Sequence, residues 1–307
     1  MSEIILHEVG LRDGLQIEKE TVPTDKKIRW IEALVESGVD LIQVGSFVHP
    51  QKVPQMADTD QLFTYFNEPS RKPARTRLSG LVLNERGLDR GLTCGVEYFC
   101  MGVSASDTHS RKNTGMGTEE ATDRIIAMAH AARDAGASVQ VSVQSAFGCG
   151  YEGAVPESRV LGIARRFVDA GLRTISLADT AGHATPDRVE RLFAAVAALD
   201  PGIELACHLH NTYGLGLANA FLALRAGVTY FESAFGGLGG CPFTAVTGGN
   251  LCTEDLVHLL QRMGRREDIR LDALIELSKD AARFFGRDMA GTIWRTGPIP
   301  SAFAAGA

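Results

Sequence analysis

Short apolar runs alternate along this chain with segments whose apolar residues recur every three or four positions. The runs Ile4–Val9, Leu41–Gly45, Arg77–Leu83, Val96–Met101, Ser138–Ser145, Thr174–Ala178, Ile203–His208 and Thr229–Ser233 are rich in Val, Ile, Leu or aromatic residues and free of proline. They are predicted strands. Helices are predicted between them. Thr24 is a candidate cap for Asp25–Ser37, where Ile28, Ile31, Leu34 and Val35 form one apolar face. Thr118 is a candidate cap for Glu119–Ala135, and Pro186 opens a helix reaching about Leu199. Gly38, Gly136, Gly171 and Gly227 are placed to stop helices in the left-handed conformation. The weakest repeat is Glu85–Gly95, which reads as too short for a full helix.

Eight strand–helix repeats in roughly 260 residues predict an α/β fold, a (β/α)8 TIM barrel over residues 1–265. Residues 266–307 read as a C-terminal appendage, a helix over Leu271–Phe285 followed by a Gly/Pro/Ala-rich tail from Gly286 that is expected to be loosely ordered. A doubly wound sheet is the alternative, but no Gly-rich dinucleotide turn follows the first strand. In a barrel the chemistry sits at the C-terminal ends of the strands.

Composition narrows the function classes. The 31 basic and 37 acidic residues are dispersed, so no basic stripe points to nucleic acid. No apolar run reaches the ~18 residues of a membrane span. The acidic start, Met1 to Glu8, does not read as a signal peptide. Six cysteines without a CxxC pair read as reduced thiols, and a cytoplasmic location is expected. Barrels of this class often pair through their outer helices, so a homo-oligomer is expected.

The candidate chemistry begins with His208 and His210 at the end of strand seven. Residues two apart on a strand face the same way, so the two imidazoles are placed to grip one divalent cation; paired surface or core histidines are the alternative. Strand one ends in Arg12-Asp13-Gly14-Leu15-Gln16, and strand eight leads to Gly236–Pro242 and then Asn250. Strands one, seven and eight are neighbours in a closed barrel, which brings Asp13, His208, His210 and Asn250 within reach of one another. A carboxylate, two imidazoles and an amide oxygen suit octahedral Mg2+ or Mn2+ better than tetrahedral zinc. Taken singly, Asp13 also fits a turn cap, Arg12 a strand-end ion pair and Asn250 a helix-start cap.

Arg12-Asp13-Gly14-Leu15-Gln16 with Glu18-Lys19, Ser46-Phe47-Val48, Val53 to Asp58 and Ser176-Leu177-x-Asp179-Thr180 together resemble the hydroxymethylglutaryl-CoA lyase family of the DRE-TIM metallolyases. So do His208-x-His210-x-Thr212-Tyr213-Gly214, Gly237 to Pro242 and Gly249-Asn250-Leu251-x-Thr253-Glu254-Asp255-Leu256. The resemblance covers about Glu8 to Gly264.

It implies a divalent-metal-dependent lyase that cleaves the C2–C3 bond of 3-hydroxy-3-methylglutaryl-CoA, or a similar acyl-CoA, to acetyl-CoA and acetoacetate. A related aldolase or Claisen-type synthase is the alternative. The implied metal ligands are Asp13, His208, His210 and Asn250. Arg12 is implied to stabilise the developing enolate, Cys241 to supply the proton that quenches it, and Asp179 and His208 to assist catalysis. Cys241 also reads as a small packed loop residue. The candidate substrate contacts are Gln16, Lys19, Gln43, Ser46, Ser176 and His109; Lys19 reads equally as a solvated loop lysine. Three departures bear on the acyl group. Gln43 stands where the family usually has a glutamate, Ile17 where it has an asparagine, and the stretch from Ser104 to Asn113, read as a polar loop, is longer and more polar.

Overall fold

The computed structural model describes residues 4–240 and 249–300. The eight strands are β1 (Ile5–Glu8), β2 (Leu41–Ser46), β3 (Arg77–Leu81), β4 (Tyr98–Ser104), β5 (Ser138–Gln144), β6 (Thr174–Ala178), β7 (Glu204–His208) and β8 (Tyr230–Ser233). All pair in parallel with their sequence neighbours, and β1 pairs with β8 from Ile5↔Tyr230 to Glu8↔Ser233, closing the barrel. The helices are α1 (Thr24–Ser37), α2 (Thr59–Phe66), α3 (Glu85–Thr93), α4 (Asp107–Thr114), α5 (Thr118–Asp134), α6 (Glu157–Asp169), α7 (Pro186–Ala197), α8 (Gly216–Arg225), α9 (Thr253–Arg262), α10 (Leu271–Phe285) and α11 (Ile293–Thr296).

The predicted barrel is therefore present, with local corrections. Glu85–Gly95 does hold a helix, α3: the Asn84 side chain accepts from Gly87 N at 2.9 Å, and Gly95 turns away at φ +76°. The polar stretch read as a loop folds from Asp107 into α4, capped by Ser106, whose hydroxyl accepts from His109 N at 3.1 Å. Thr24 caps nothing, because its hydroxyl donates to Asp58 instead. Thr118 likewise donates to the Ser104 carbonyl. The four helix-stopping glycines all have φ between +74° and +90°. Helix α10 has the predicted bounds, but the segment after it is not loose as far as Pro300: Met289 and Trp294 are buried, and the amides of Thr292 and Ile293 donate to Asp255.

The apolar core lies between the strands and the helical ring. Inside the barrel a small apolar cluster is built from Leu41, Tyr98, Cys100, Ala206 and Tyr230. Strand side chains alternate, so the next inward positions lie one layer nearer the C-terminal mouth. They are occupied by His7, Gln43, Ser79, Gln140, Ser176 and Glu232, all buried. A register shift in β2 between Gln43 and Gly45 sets Gln43 against Ser79 and Ser46 against Leu81, so both turn inward. A polar interior of this kind is a foundation for a polar site above it.

Candidate metal centre

The site is assembled from three chain segments at the C-terminal ends of β1, β7 and β8. After β1 the backbone makes one wide helical turn, Gly10–Gly14, in which the Val9 carbonyl accepts from Asp13 N at 2.8 Å. This turn carries Arg12 and Asp13. His208 ends β7, and the chain continues to His210, which pairs with Asn250 in a short antiparallel bridge. The Asn211 amide donates to Gly249 at 2.6 Å and the Leu251 amide to Leu209 at 3.0 Å, which fixes where Asn250 stands. The glycine run after β8 crosses directly over this turn. A side chain at Gly239 (φ +104°) would collide with the Asn250 amide.

Asp13, His208 and His210 each present one donor atom, all within 4.8 Å of one another. The two Nε2 atoms lie 3.1 Å apart, and His208 Nε2 is 3.7 Å from Asp13 Oδ2. Ligand atoms at right angles on a cation with bonds of about 2.1 Å stand about 3 Å apart, so this donor set fits a hard divalent cation. Asn250 adjoins it. Its Nδ2 donates to Asp13 Oδ2 and to the Leu238 carbonyl, both at 2.8 Å, so the amide nitrogen faces Asp13.

Arg12 donates to Asp13 Oδ1 at 2.5 Å, and its Nε donates to Gln43 Oε1. Gln16 also donates to Asp13 Oδ1, at 2.9 Å. Burial alone would raise the pKa of Asp13, but the Arg12 guanidinium and the imidazoles hold it well below the usual carboxylate range. Burial also opposes charge on His208; the hydrogen bond to Glu232 and the nearby Asp13 outweigh it and raise the pKa. His210, buried beside that charge, is lowered to about 3, and its Nδ1 has no hydrogen-bond partner among the described residues.

The other sequence-derived candidates are more dispersed. Asp179 follows β6; its Oδ1 accepts from His183 N at 2.7 Å and Ala184 N at 3.1 Å, while Oδ2 is buried without a partner among the described residues. Burial raises it to about 6. Ser46 is buried at the end of β2. Ser176 lies deeper, donating to Glu232 at 3.2 Å. His109 is buried in α4, with Nε2 3.0 Å from Asn113 and its ring 6.3 Å from that of Tyr151. Lys19 is exposed, as is Ile17. Cys241 lies outside the described residues. Glu232, whose Oε2 is 3.0 Å from His208 Nδ1, belongs to none of the sequence motifs; in the sequence it is a lone acid on an inward strand position.

A cleft of roughly 760 Å3 opens at the same end of the barrel, beyond β2 and β3. His49, Lys52, Arg86, Arg90 and Arg124 line it. Arg90 and Arg124 are tied to Asp60 and Glu85, whereas Lys52 and Arg86 make no ion pair among the described residues. None of the helices described is long and apolar enough to cross a membrane.

Residues 3–280 match the HMGL-like family model. The chain is 35% identical over 277 residues to the hydroxymethylglutaryl-CoA lyase YngG of Bacillus subtilis, covering 90% of this chain and 91% of that one. It is 37% identical over 305 residues to an (R)-citramalyl-CoA lyase of Chloroflexus aurantiacus, covering 97% and 96%. A solved HMG-CoA lyase of Acinetobacter baumannii, in complex with coenzyme A and 3-methylmalate, superposes with a TM-score of 0.88 at 35% identity, covering 97% of this chain and 98% of the other. The fold and the sequence thus agree along nearly the whole barrel, and this chain belongs to the HMGL-like family of carbon–carbon lyases.

Proposed function

We propose that this protein cleaves the C2–C3 bond of 3-hydroxy-3-methylglutaryl-CoA, or of a close 3-hydroxyacyl-CoA, releasing acetyl-CoA and a 3-oxo acid. The observation that carries this reading is the convergence of Asp13, His208 and His210 beside Arg12 at the barrel mouth. These three residues would hold Mg2+ or Mn2+, with Asn250 beside them as a candidate further ligand. The chemistry such a cation would supply there is Lewis acidity toward the substrate's hydroxyl and carboxylate.

The chain's own groups supply the rest. The Arg12 guanidinium faces the mouth, where it stabilises the negative charge that builds on the thioester oxygen. Gln43 holds the guanidinium in place through its amide oxygen without cancelling its charge. Asp179 brings a buried carboxylate oxygen without a hydrogen-bond partner among the described residues, and a pKa near 6 suits it to accept the hydroxyl proton. Cys241 follows the glycine run that crosses the site, and it delivers a proton to the enolate carbon. The basic cleft beyond β2 and β3 receives the coenzyme, with Lys52 and Arg86 available to its phosphates. Lys19 is the competing phosphate contact.

The likeness to an (R)-citramalyl-CoA lyase supports a second substrate of the same chemistry, in which the tertiary hydroxyl and the carboxylate share one carbon. The neutral Gln43 is the residue at the mouth most suited to shift that preference. Assaying both thioesters with Mg2+ or Mn2+, with acetyl-CoA as the readout, tests the proposal; release from neither removes it.

A further inference from the structure

Glu232 is a charged side chain inside the barrel, 6% exposed, on a strand whose neighbouring inward position is an apolar tyrosine. Removing a carboxylate from water is costly unless its oxygens are satisfied. Here they are. Oε1 accepts from Gln140 Nε2 at 2.6 Å and from Ser176 Oγ at 3.2 Å. Oε2 faces His208 Nδ1 at 3.0 Å, and the β7–β8 register sets His208 directly opposite Glu232.

An ionised carboxylate only accepts hydrogen bonds, so the Nδ1 of His208 carries the hydrogen. The lone pair of that ring is then left on Nε2, the atom that points at His210 Nε2 and Asp13 Oδ2. His210 has no such support: its Nδ1 is buried and unpartnered among the described residues. The two histidines are therefore unequal. We propose that Glu232 is a positioning residue that fixes the tautomer and orientation of His208, making His208 the anchoring ligand of the cation site, with Gln140 and Ser176 holding the carboxylate from below. The inference rests on the cation-site reading above.

An amide at position 232 keeps the shape but is able to donate to Nδ1, which moves the ring hydrogen to Nε2 and blocks that atom as a ligand. The test measures Mn2+ binding by calorimetry on the purified full chain, for wild type, Glu232→Gln and Gln140→Met, with thermal unfolding of each after chelator treatment. Glu232→Gln is expected to bind Mn2+ about 10- to 100-fold more weakly, with an unfolding temperature close to wild type. Gln140→Met, which touches no ligand, is expected to show a smaller loss of affinity. A purely structural role would lower the unfolding temperature and leave the affinity of the folded protein unchanged. Wild-type affinity in folded Glu232→Gln overturns the inference. Should Glu232→Gln fail to fold, wild-type affinity in Gln140→Met overturns it. If wild type itself binds no Mn2+, the cation site fails, a result distinct from the failure of Glu232 alone.

Discussion

His208 Nε2 lies 3.1 Å from His210 Nε2, with the Asp13 carboxylate completing a triangle of donors. Both rings sit at the mouth rather than between strands and helices, so their removal should cost binding more than folding. His210→Ala is expected to weaken Mn2+ binding at least about tenfold, no less than the loss of a supporting partner, while shifting the unfolding temperature of chelator-treated protein only slightly. Calorimetry and thermal melts check this together. Unchanged Mn2+ affinity would reject the ligand assignment.

The proton on His208 competes with a cation. Its pKa is raised by Glu232 and Asp13 against the effect of burial, so the ring is protonated below a point above the ordinary histidine range. A ligating imidazole must be neutral. Mn2+ affinity is therefore expected to rise with pH as the ring gives up its proton, with protons released on binding. Measuring the heat of binding in buffers of different ionisation enthalpy gives that proton count, and an affinity independent of pH would contradict it.

Arg12 donates to Asp13 at the mouth and to Gln43 of the polar layer beneath it. Arg12→Met is expected to lower kcat by about 100- to 1,000-fold, the range seen when one donor to a developing oxyanion is removed. Arg12→Lys should recover little, because an ammonium lacks the planar fork that spans both partners. Steady-state kinetics on the folded variants decides this; a change confined to KM would count against the role.

Glu8 links the two halves of the rim away from the metal ligands. Its carboxylate accepts from Gly10 N at 2.7 Å, Phe235 N at 3.1 Å and Thr253 Oγ at 2.5 Å. Burial raises its pKa from 4.5 to about 8 despite those bonds. An acid with a higher pKa folded than unfolded binds its proton more tightly in the folded state, so its contribution is full below pH 4.5 and declines as pH rises to about 8. Each unit of separation is worth about 1.4 kcal/mol. Glu8→Gln is expected to gain stability relative to wild type between pH 5 and pH 9, as read by denaturant melts at both values. Parallel pH dependence in the two proteins would show that Glu8 does not titrate there.

Asp255 is one of the groups that tie the C-terminal segment to the barrel. Asp255 accepts from Thr292 N and Ile293 N at 2.8–3.1 Å, and the Gly236 carbonyl accepts from Ala290 N at 3.0 Å. Asp255→Ala leaves two amides without their acceptor, at a cost of about 1–3 kcal/mol. Faster proteolysis after Gly286 and a lower unfolding temperature are the expected signs; neither change would mean the segment is held by other contacts.

The barrel was legible because strand and helix periods differ and recur eight times. The convergence of Asp13 with His208 and His210 followed from strand order alone. What escaped notice depends on pairing in space. Glu232 is one polar residue in a strand until register sets it opposite His208. Helix α4 has no apolar face to reveal it, and it is Ser106 and its neighbours that start the helix. The Gly/Pro/Ala-rich tail reads as loose because its anchor, Asp255, lies far back in α9.

The most direct test is to incubate purified protein with 3-hydroxy-3-methylglutaryl-CoA and citramalyl-CoA, with Mn2+ or with chelator, and to detect products by mass. Acetyl-CoA is expected from at least one thioester, lost on chelation and restored by the cation. Cleavage that chelator leaves intact, or no acetyl-CoA from either thioester in a folded, Mn2+-loaded enzyme, would contradict it.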